Sequence, residues 1–301
     1  MERTGRNFDQ LAEKNLVKTN KGVSFYEDKH EYKVEGQEEA VPISATGVVK
    51  TVFAEEDFDA LGVVSKNLHK WRANASSKYH ALVEDKTDEE ATKALLDLWG
   101  SANVLGTLFH LHFEARLNGV PLPRDERIES EFSEAARYLD AEFEREGMAP
   151  FRTELCVFWV DEETGFATCA GQIDLLARKE NGTYVMIDFK RTGKKLEEDA
   201  NTYGKWADPE GPMAGFGVND FRKYSFQQSL YCVMLEQCAG IVVDPEERYL
   251  LQAHPDLPTV EKVRCACYDE QAKQTLRLLG KAFGPSSQTE TGKKRPVSTM
   301  S

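Results

Sequence analysis

The 301-residue sequence has no apolar run long enough to cross a membrane and no apolar core near its N-terminus of the kind that targeting peptides carry. We therefore expect no membrane partner, no secretory or transit peptide, and an intracellular protein whose compartment the sequence does not specify. The glycine-rich P-loop pattern is also missing.

Cysteine is scarce, and its spacing does not indicate a cluster. The six cysteines form no Cys-x-x-Cys pair, and no pair of histidines follows at zinc-finger spacing. We expect reduced thiols, and neither a structural zinc nor an iron–sulfur cluster.

Positive charge is in short supply, with 38 Lys and Arg against 51 Asp and Glu, for a net charge of −13. That balance argues against a protein that coats DNA without specificity, and it favours a protein-interaction role. It does not exclude a nuclease, because the local field at a groove matters more than the sum. A basic cluster follows position 190: Arg191, Lys194, Lys195 and Lys205.

The hydrophobic content of 41% is ample for a sizeable core. We predict a flexible segment over 1–20 and one folded domain over 21–283, with an N-terminal extension over 21–100 and a catalytic core over 101–283. Residues 284–301 are low in apolar side chains, which predicts a disordered tail.

Hydrophobic periodicity and capping residues predict alternating strands and helices. A hairpin is predicted over 23–34 and a helix capped by Ser44 or Thr46 after it. The remaining predictions are a mostly helical stretch over 54–100, helices over 103–118, 129–146, 222–237 and 269–283, strands over 153–160, 167–177, 183–190, 240–253 and 260–267, and a long polar loop over 193–219.

Two acidic residues and a lysine form the central candidate site. Asp188 and Lys190 lie two apart in an apolar, β-branched stretch, so they share one face of a predicted strand. Asp174 lies on the strand before it. Two carboxylates and an ammonium brought together are the minimum set for metal-dependent cleavage of a phosphodiester. The alternative is a solvated hairpin whose polar face carries these residues by chance.

The turn between these strands provides a test. Asn181-Gly182 is typical of a hairpin. A two-residue loop would place Asp174 opposite Phe189, on the wrong face. An odd loop containing the glycine, or a bulge, would place Asp174 with Asp188. The catalytic hypothesis therefore predicts a three-residue loop or a bulge.

Further polar residues recur at helical or strand-end positions. His110 and Glu114 lie one helical turn apart, whereas His112 points elsewhere. Glu154 opens a predicted strand. Gln227 and Tyr231 are again one turn apart on a helix. Taken singly, each is most simply a core histidine, an edge carboxylate or an ordinary amphipathic face.

Taken together, these motifs resemble the RecB-like and phage-exonuclease branch of the PD-(D/E)xK nuclease superfamily. The order is Gly-Thr-x-x-His, Glu154, Gly-x-x-Asp, Asp-x-Lys and Gln-x-x-x-Tyr, and the resemblance extends from about 23 to 263. It implies an α/β fold with a restriction-endonuclease-like core: a mixed central sheet flanked by helices, with a mainly helical N-terminal extension.

The resemblance also implies roles for single residues. Asp174, Asp188, the Phe189 carbonyl and His110 would bind Mg²⁺ or Mn²⁺. Lys190 would act with the two aspartates and Glu154 in catalysis. The expected substrate-binding residues are Arg191, Lys194, Lys195, Gln227 and Tyr231. The aromatic residues Tyr203 and Trp206 could stack on bases or pack onto the protein.

We therefore expect a metal-dependent deoxyribonuclease, most simply an exonuclease in DNA repair, recombination or replication, acting on single- or double-stranded ends. A helicase or a replication or recombination protein is the expected partner. Two alternatives stay open: a noncatalytic nucleic-acid or protein-binding module on a nuclease fold, and an endonuclease or RNA-processing nuclease. The sequence does not discriminate polarity, strand preference or oligomeric state.

Overall fold

A computed structural model describes residues 8–54, 59–198 and 208–283. These residues divide into two compact units, one joining 8–54 to 112–283 and the other comprising 59–111. Several residues singled out in the sequence lie outside the described ranges: Tyr203, Lys205, Trp206 and the tail over 284–301.

The described residues form eight strands in two sheets. They are β1 (Val23–Tyr26), β2 (Glu31–Val34), β3 (Ile43–Ser44), β4 (Met148–Val160), β5 (Ala167–Lys179), β6 (Tyr184–Arg191), β7 (Arg248–Ala253) and β8 (Glu261–Arg264). The first two form the predicted hairpin. The larger sheet has the order β3-β5-β6-β7-β8, and β4 also pairs with β5. Because β3/β5 and β6/β7 are parallel and the other pairs antiparallel, the sheet is mixed, as predicted.

Eight α-helices accompany the strands in the described ranges. They are α1 (Gln10–Lys14), α2 (Ala45–Val52), α3 (Ala60–Ala73), α4 (His80–Val83), α5 (Asp88–Leu117), α6 (Glu129–Glu146), α7 (Asp220–Ala239) and α8 (Asp269–Phe283). The hydroxyl of Ser44 accepts the amide of Gly47, so the predicted cap of α2 is confirmed. Helices flanking a mixed sheet give the α/β architecture expected of this sequence.

The main hydrophobic core lies between the large sheet and three helices. Fully buried side chains from each element meet there, including Val48 of α2, Phe158 of β4, Phe226 of α7 and Leu276 of α8. Most of α7 is buried, which makes it the central helix of this unit. Residues that α7 presents to the sheet are therefore held rigidly.

The unit over 59–111 has its own small core. Val64 and Leu95 are buried there, beside an aromatic group in which Trp71, Tyr79 and Trp99 contact one another at ring-centroid distances of 4.8 to 6.1 Å. No helix in the described ranges is both long and apolar enough to cross a membrane.

The N-terminal region differs from its prediction. Residues 8–20 were expected to be flexible, whereas α1 packs onto the first unit: Leu11 is buried, its amide donates to Asn118, and the Asn15 amide group donates to the Phe151 carbonyl. The predicted division at residue 100 also differs, because Val34 and Val48 belong to the main core. Single buried apolar residues in a polar segment were the missed signal.

Element boundaries differ as well. The helix predicted over 103–118 is the end of the longer α5, since Gly100 and Gly106 are accommodated within it. The strand predicted over 240–253 is shortened to β7, because Pro245 begins a short 3-10 turn just before it. All six cysteines are free thiols, and five of them are buried.

Candidate active site

The hairpin between β5 and β6 closes through three residues rather than two. The amide of Lys179 donates to the carbonyl of Thr183 at 2.8 Å, which leaves residues 180–182 in the turn. Gly182 adopts a left-handed conformation with φ of 91°, which glycine reaches without steric cost. The odd loop predicted from the catalytic hypothesis is therefore confirmed.

This turn sets the register of the two strands. Leu175 pairs with Ile187, so Asp174 lies opposite Asp188 at the next position. Residues directly opposite on a ladder present their side chains on the same face, and Lys190 shares that face two residues on. The three side chains of the central candidate site consequently lie on one face of the sheet.

Glu154 lies across from Asp174 on the other neighbouring strand. The residues on either side of Glu154 pair with the residues on either side of Asp174. Its φ of 45° places Glu154 in the left-handed region, which is rare for a residue with a long side chain and persists only where the surroundings impose it. Like charges directly opposite repel, so this pair of carboxylates favours a bound cation.

The C-terminal end of α5 is held against β6. Phe113 stacks on Phe189 with ring centroids 4.1 Å apart and planes within 10°. His110 lies about one turn earlier in α5. The ring of His112 contacts Phe132 edge-on at 5.3 Å.

Three carboxylates of the predicted site lie side by side on neighbouring strands, with Asp174 between Glu154 and Asp188. Glu154 and Asp174 each offer an oxygen atom, and these two atoms lie within 4.8 Å of one another. Both residues are partly exposed, so a hydrated ion can reach them. Carboxylate oxygens suit Mg²⁺ or Mn²⁺, so this cluster fits a divalent cation. The role of His110 as a further ligand stays a prediction.

Lys190 is held beside this cluster. Its Nζ lies 2.5 Å from Oδ2 of Asp188, and the two side chains are 16% and 4% exposed. Burial alone would lower the pKa of Lys190, but the Asp188 and Asp174 carboxylates outweigh burial and raise the pKa above its usual value. The side chain is therefore an ammonium at neutral pH.

The backbone between Asp188 and Lys190 also contributes. The amide of Phe189 donates to Oδ2 of Asp174 at 2.8 Å, which orients that carboxylate. A carboxylate fixed by a backbone amide keeps its other oxygen directed elsewhere. The role predicted for the Phe189 carbonyl as a ligand stays a prediction.

Tyr231 approaches the acidic cluster from α7. Burial, followed by the neighbouring carboxylates of Asp188, Asp174 and Glu154, holds its pKa well above the usual value. Its ring packs on Gly171, where an added Cβ would lie 2.5 Å from the ring carbon Cε1. A glycine three residues before Asp174 is therefore what allows the tyrosine to reach the site.

Gln227 lies one turn before Tyr231 and contacts a different helix. Its Nε2 donates to the hydroxyl of Thr46 at 3.1 Å, near the first turn of α2. Gln227 is partly exposed and Thr46 is exposed. This polar pair, joining α2 to α7, can meet a solvent-borne ligand.

The predicted basic residues have acidic partners. Arg191 pairs with Glu131 of α6 at 2.8 Å, with both side chains at most 7% exposed. This differs from the predicted phosphate contact, because a phosphate would have to displace a buried carboxylate. Lys194 pairs with Asp220 at 3.2 Å and Lys195 with Glu197, and both lysines are exposed. These two lysines remain accessible for the predicted role.

Sequence reasoning gave no role to two residues near the site. Gln252 is fully buried beside Lys190 in the β6–β7 register, and its Nε2 donates to the carbonyls of Thr192 and Lys194 at 2.7 and 2.6 Å. It fixes the chain just after β6. A glutamine inside the apolar strand Tyr-Leu-Leu-Gln-Ala was the available signal.

The second residue without a predicted role is Tyr224 of α7. The Nζ of Lys190 lies 4.6 Å from the centroid of its ring. Tyr224 precedes Gln227 by three residues and Tyr231 by seven, so all three lie on one face of the helix. That spacing was the available signal.

Comparison with known proteins identifies no family. No family model and no curated protein matches this sequence. Nineteen chains of solved structures match, among them the crystal structure of SSO0001, at 12% identity and a TM-score of 0.35 over 87% of this chain and 82% of that one. The functional assignment therefore depends on the side chains of the site.

Proposed function

We propose that this protein is a Mg²⁺- or Mn²⁺-dependent deoxyribonuclease that acts as an exonuclease on DNA ends in repair, recombination or replication. One observation carries the proposal: Asp174 lies between Glu154 and Asp188 on neighbouring strands, beside the ion pair of Asp188 and Lys190. Acidic ligands next to a protonated lysine are the groups that metal-assisted phosphodiester hydrolysis uses.

Glu154, Asp174 and Asp188, with His110 as a further predicted ligand, would hold a divalent ion that supplies Lewis-acid chemistry at the scissile phosphate. The chain itself arranges the carboxylates, since the β4–β5 and β5–β6 pairings bring them together and the Phe189 amide orients Asp174. Ligands held in this way before substrate binds are the condition for efficient electrostatic stabilisation.

The ammonium of Lys190 places a positive charge beside the carboxylates of the site. Its ammonium is held by Asp188 and has little exposure, so it interacts with a phosphate in a weakly screened environment. It would donate to the attacking water or to a phosphate oxygen as negative charge develops there. A positioned donor of this kind typically contributes ~10²–10³ in rate.

The substrate would extend from the cluster over polar and basic residues. Gln227 with Thr46 lies on one side, and the exposed Lys194 and Lys195 follow β6 on the other. Contacts of this type bind the phosphate backbone and read no sequence. They suit a nuclease that works from any DNA end, with a helicase or a replication or recombination protein supplying that end.

The test is DNA cleavage by the purified protein. Linear and circular DNA, each single- and double-stranded, would be incubated with Mg²⁺, Mn²⁺ or EDTA. We expect metal-dependent loss of linear DNA only. Lys190→Ala should lower the rate by at least ~10² while the protein stays folded by circular dichroism. Lys281→Ala, at an exposed position of α8, is the control and should cleave like the wild type.

The other outcomes separate the alternatives. Cutting of circular DNA would reassign the protein as an endonuclease, and cleavage of RNA in place of DNA would reassign its substrate. Binding without cleavage under any metal would support the noncatalytic module. Wild-type rates in Lys190→Ala would contradict the role given to that lysine.

A further inference from the structure

Tyr224 faces the ammonium of Lys190 from α7. The Nζ atom of Lys190 lies 4.6 Å from the centroid of the Tyr224 ring. The same Nζ atom lies 2.5 Å from Oδ2 of Asp188. We propose that Tyr224 is a positioning residue for the reaction: its ring face holds the Lys190 ammonium in place. The inference rests on the proposed nuclease function and extends it to a residue for which the sequence predicted no role.

An aromatic ring suits this task better than a second carboxylate. A cation is attracted to the centre of a ring by the ring's quadrupole, without a directional hydrogen bond. The ammonium has three N–H donors. Asp188 engages one of them, and the ring face need not occupy either of the others. Those donors stay available for a phosphate oxygen or a water molecule.

The ring itself is held in place by its neighbours. Tyr224 packs against a buried cluster formed by Leu196, Phe221, Leu250 and Cys265. Because interiors are closely packed, a ring that packs against such a cluster has few alternative rotamers. The position of the ring, and through it the position of Nζ, is therefore fixed before substrate binds.

A purely structural role for the ring is the competing explanation, and the chain offers a control for it. Phe221 lies on α7 three residues before Tyr224, and it is buried in the same cluster. Replacing either aromatic side chain by leucine removes a ring from that cluster. Only the change at Tyr224 removes the face that contacts Lys190.

Cleavage kinetics of three variants test the proposal. Tyr224→Leu should lower kcat by about tenfold, the effect of one desolvated cation–π contact, with KM for DNA and the metal concentration for half-maximal rate unchanged. Tyr224→Phe keeps the ring face and should retain most of the wild-type kcat. Phe221→Leu should lose stability but stay within about twofold of the wild-type kcat.

Three kinetic results would overturn the proposal. Equal losses in Tyr224→Leu and Phe221→Leu would make the ring merely structural. A loss in Tyr224→Phe as large as in Tyr224→Leu would assign the effect to the hydroxyl. A raised KM with unchanged kcat would make Tyr224 a substrate contact.

A second measurement does not need catalytic activity. Unfolding of Tyr224→Leu, Lys190→Met and the double variant by denaturant gives the coupling between the two side chains. We expect the two changes to be non-additive, whereas Phe221→Leu with Lys190→Met should be additive. Additivity for Tyr224 would overturn the contact. Coupling without any cleavage by the wild type would retain the contact and refute the nuclease function instead.

Discussion

Glu154 combines two unfavourable features in one residue. Its backbone is left-handed, with φ of 45°, and its carboxylate lies opposite that of Asp174. Each feature costs free energy in the protein without a ligand, and folded proteins keep such costs mainly where function depends on them. A divalent cation bound between the two carboxylates would turn their repulsion into attraction to the ion.

Removing the charge of Glu154 should therefore have opposite effects with and without metal. In EDTA, Glu154→Gln should stabilise the protein by roughly 0.5–1 kcal/mol, because the repulsion with Asp174 is lost. In Mn²⁺, the same variant should lose most of the stabilisation that binding gives the wild type. Thermal unfolding in the two buffers measures both effects.

The matched control is Glu162→Gln, at an exposed position of the turn between β4 and β5. This control should leave both unfolding temperatures close to those of the wild type. If Glu154→Gln proves less stable than the wild type in EDTA and is still stabilised by Mn²⁺, then Glu154 is not a ligand.

The helix α6 is attached to the sheet by buried ion pairs. Arg191 of β6 contacts Glu131 at 2.8 Å, and Lys262 of β8 contacts Glu142 at 2.7 Å. In both pairs the glutamate is at most 6% exposed. Breaking a pair of this kind leaves a buried charge without its partner, which is strongly destabilising. The two pairs therefore hold α6 against the sheet.

Arg191 and Lys194 should consequently respond differently to substitution. Arg191→Ala should lower the free energy of unfolding by about 3–5 kcal/mol, because Glu131 is left unpaired. Lys194→Ala, which removes a largely exposed pair with Asp220, should change stability by less than about 1 kcal/mol but flatten the salt dependence of DNA binding.

Denaturant unfolding and DNA titrations at several salt concentrations measure these effects. A stable Arg191→Ala protein with weakened DNA binding would restore the phosphate contact that the sequence predicted for this arginine.

The β5–β6 hairpin shows how far sequence reasoning reaches at the level of elements. Side chains alternate along strands, so the parity of the loop alone decides whether Asp174 meets Asp188. The Asn181-Gly182 turn was visible in the sequence. The third loop residue was expected only because the catalytic hypothesis requires Asp174 and Asp188 on one face. Local, periodic rules of this kind predict strands and their faces well.

Contacts between distant segments were not predictable in the same way. The pairing of Arg191 with Glu131 joins residues sixty positions apart, and no local pattern announces it. The left-handed backbone of Glu154 lies inside β4, where the pairing with β5 is regular on both sides. The contact between Lys190 and the Tyr224 ring depends on how α7 packs on the sheet. Each depends on packing, which a single sequence does not reveal.

The charge of the whole molecule works against its proposed substrate. With a net charge of −13, the chain repels DNA at long range, and salt screens this repulsion beyond about 10 Å. Binding must then rely on short-range contacts at the site and on the bound cation. This requirement is consistent with a partner protein that delivers DNA ends, as proposed.

The α/β architecture of the molecule was predicted more completely than the division of the chain into two compact units. The mixed sheet flanked by helices follows from the alternation of strand and helix patterns. The separate unit over 59–111 does not follow from the sequence. The helices that form its small core around Trp71 and Trp99 have the same apolar periodicity as helices that pack elsewhere. Composition alone does not indicate which helices share a core.

The most direct test of the central claim is the rate at which end-labelled linear DNA is degraded with Mn²⁺ by the wild type and by Asp174→Asn. That substitution keeps the shape of a predicted ligand and removes its charge. We expect Mn²⁺-dependent degradation by the wild type, with a loss of at least ~10² in the variant. Equal rates for the two proteins, or no degradation by the wild type with any divalent cation, would contradict it.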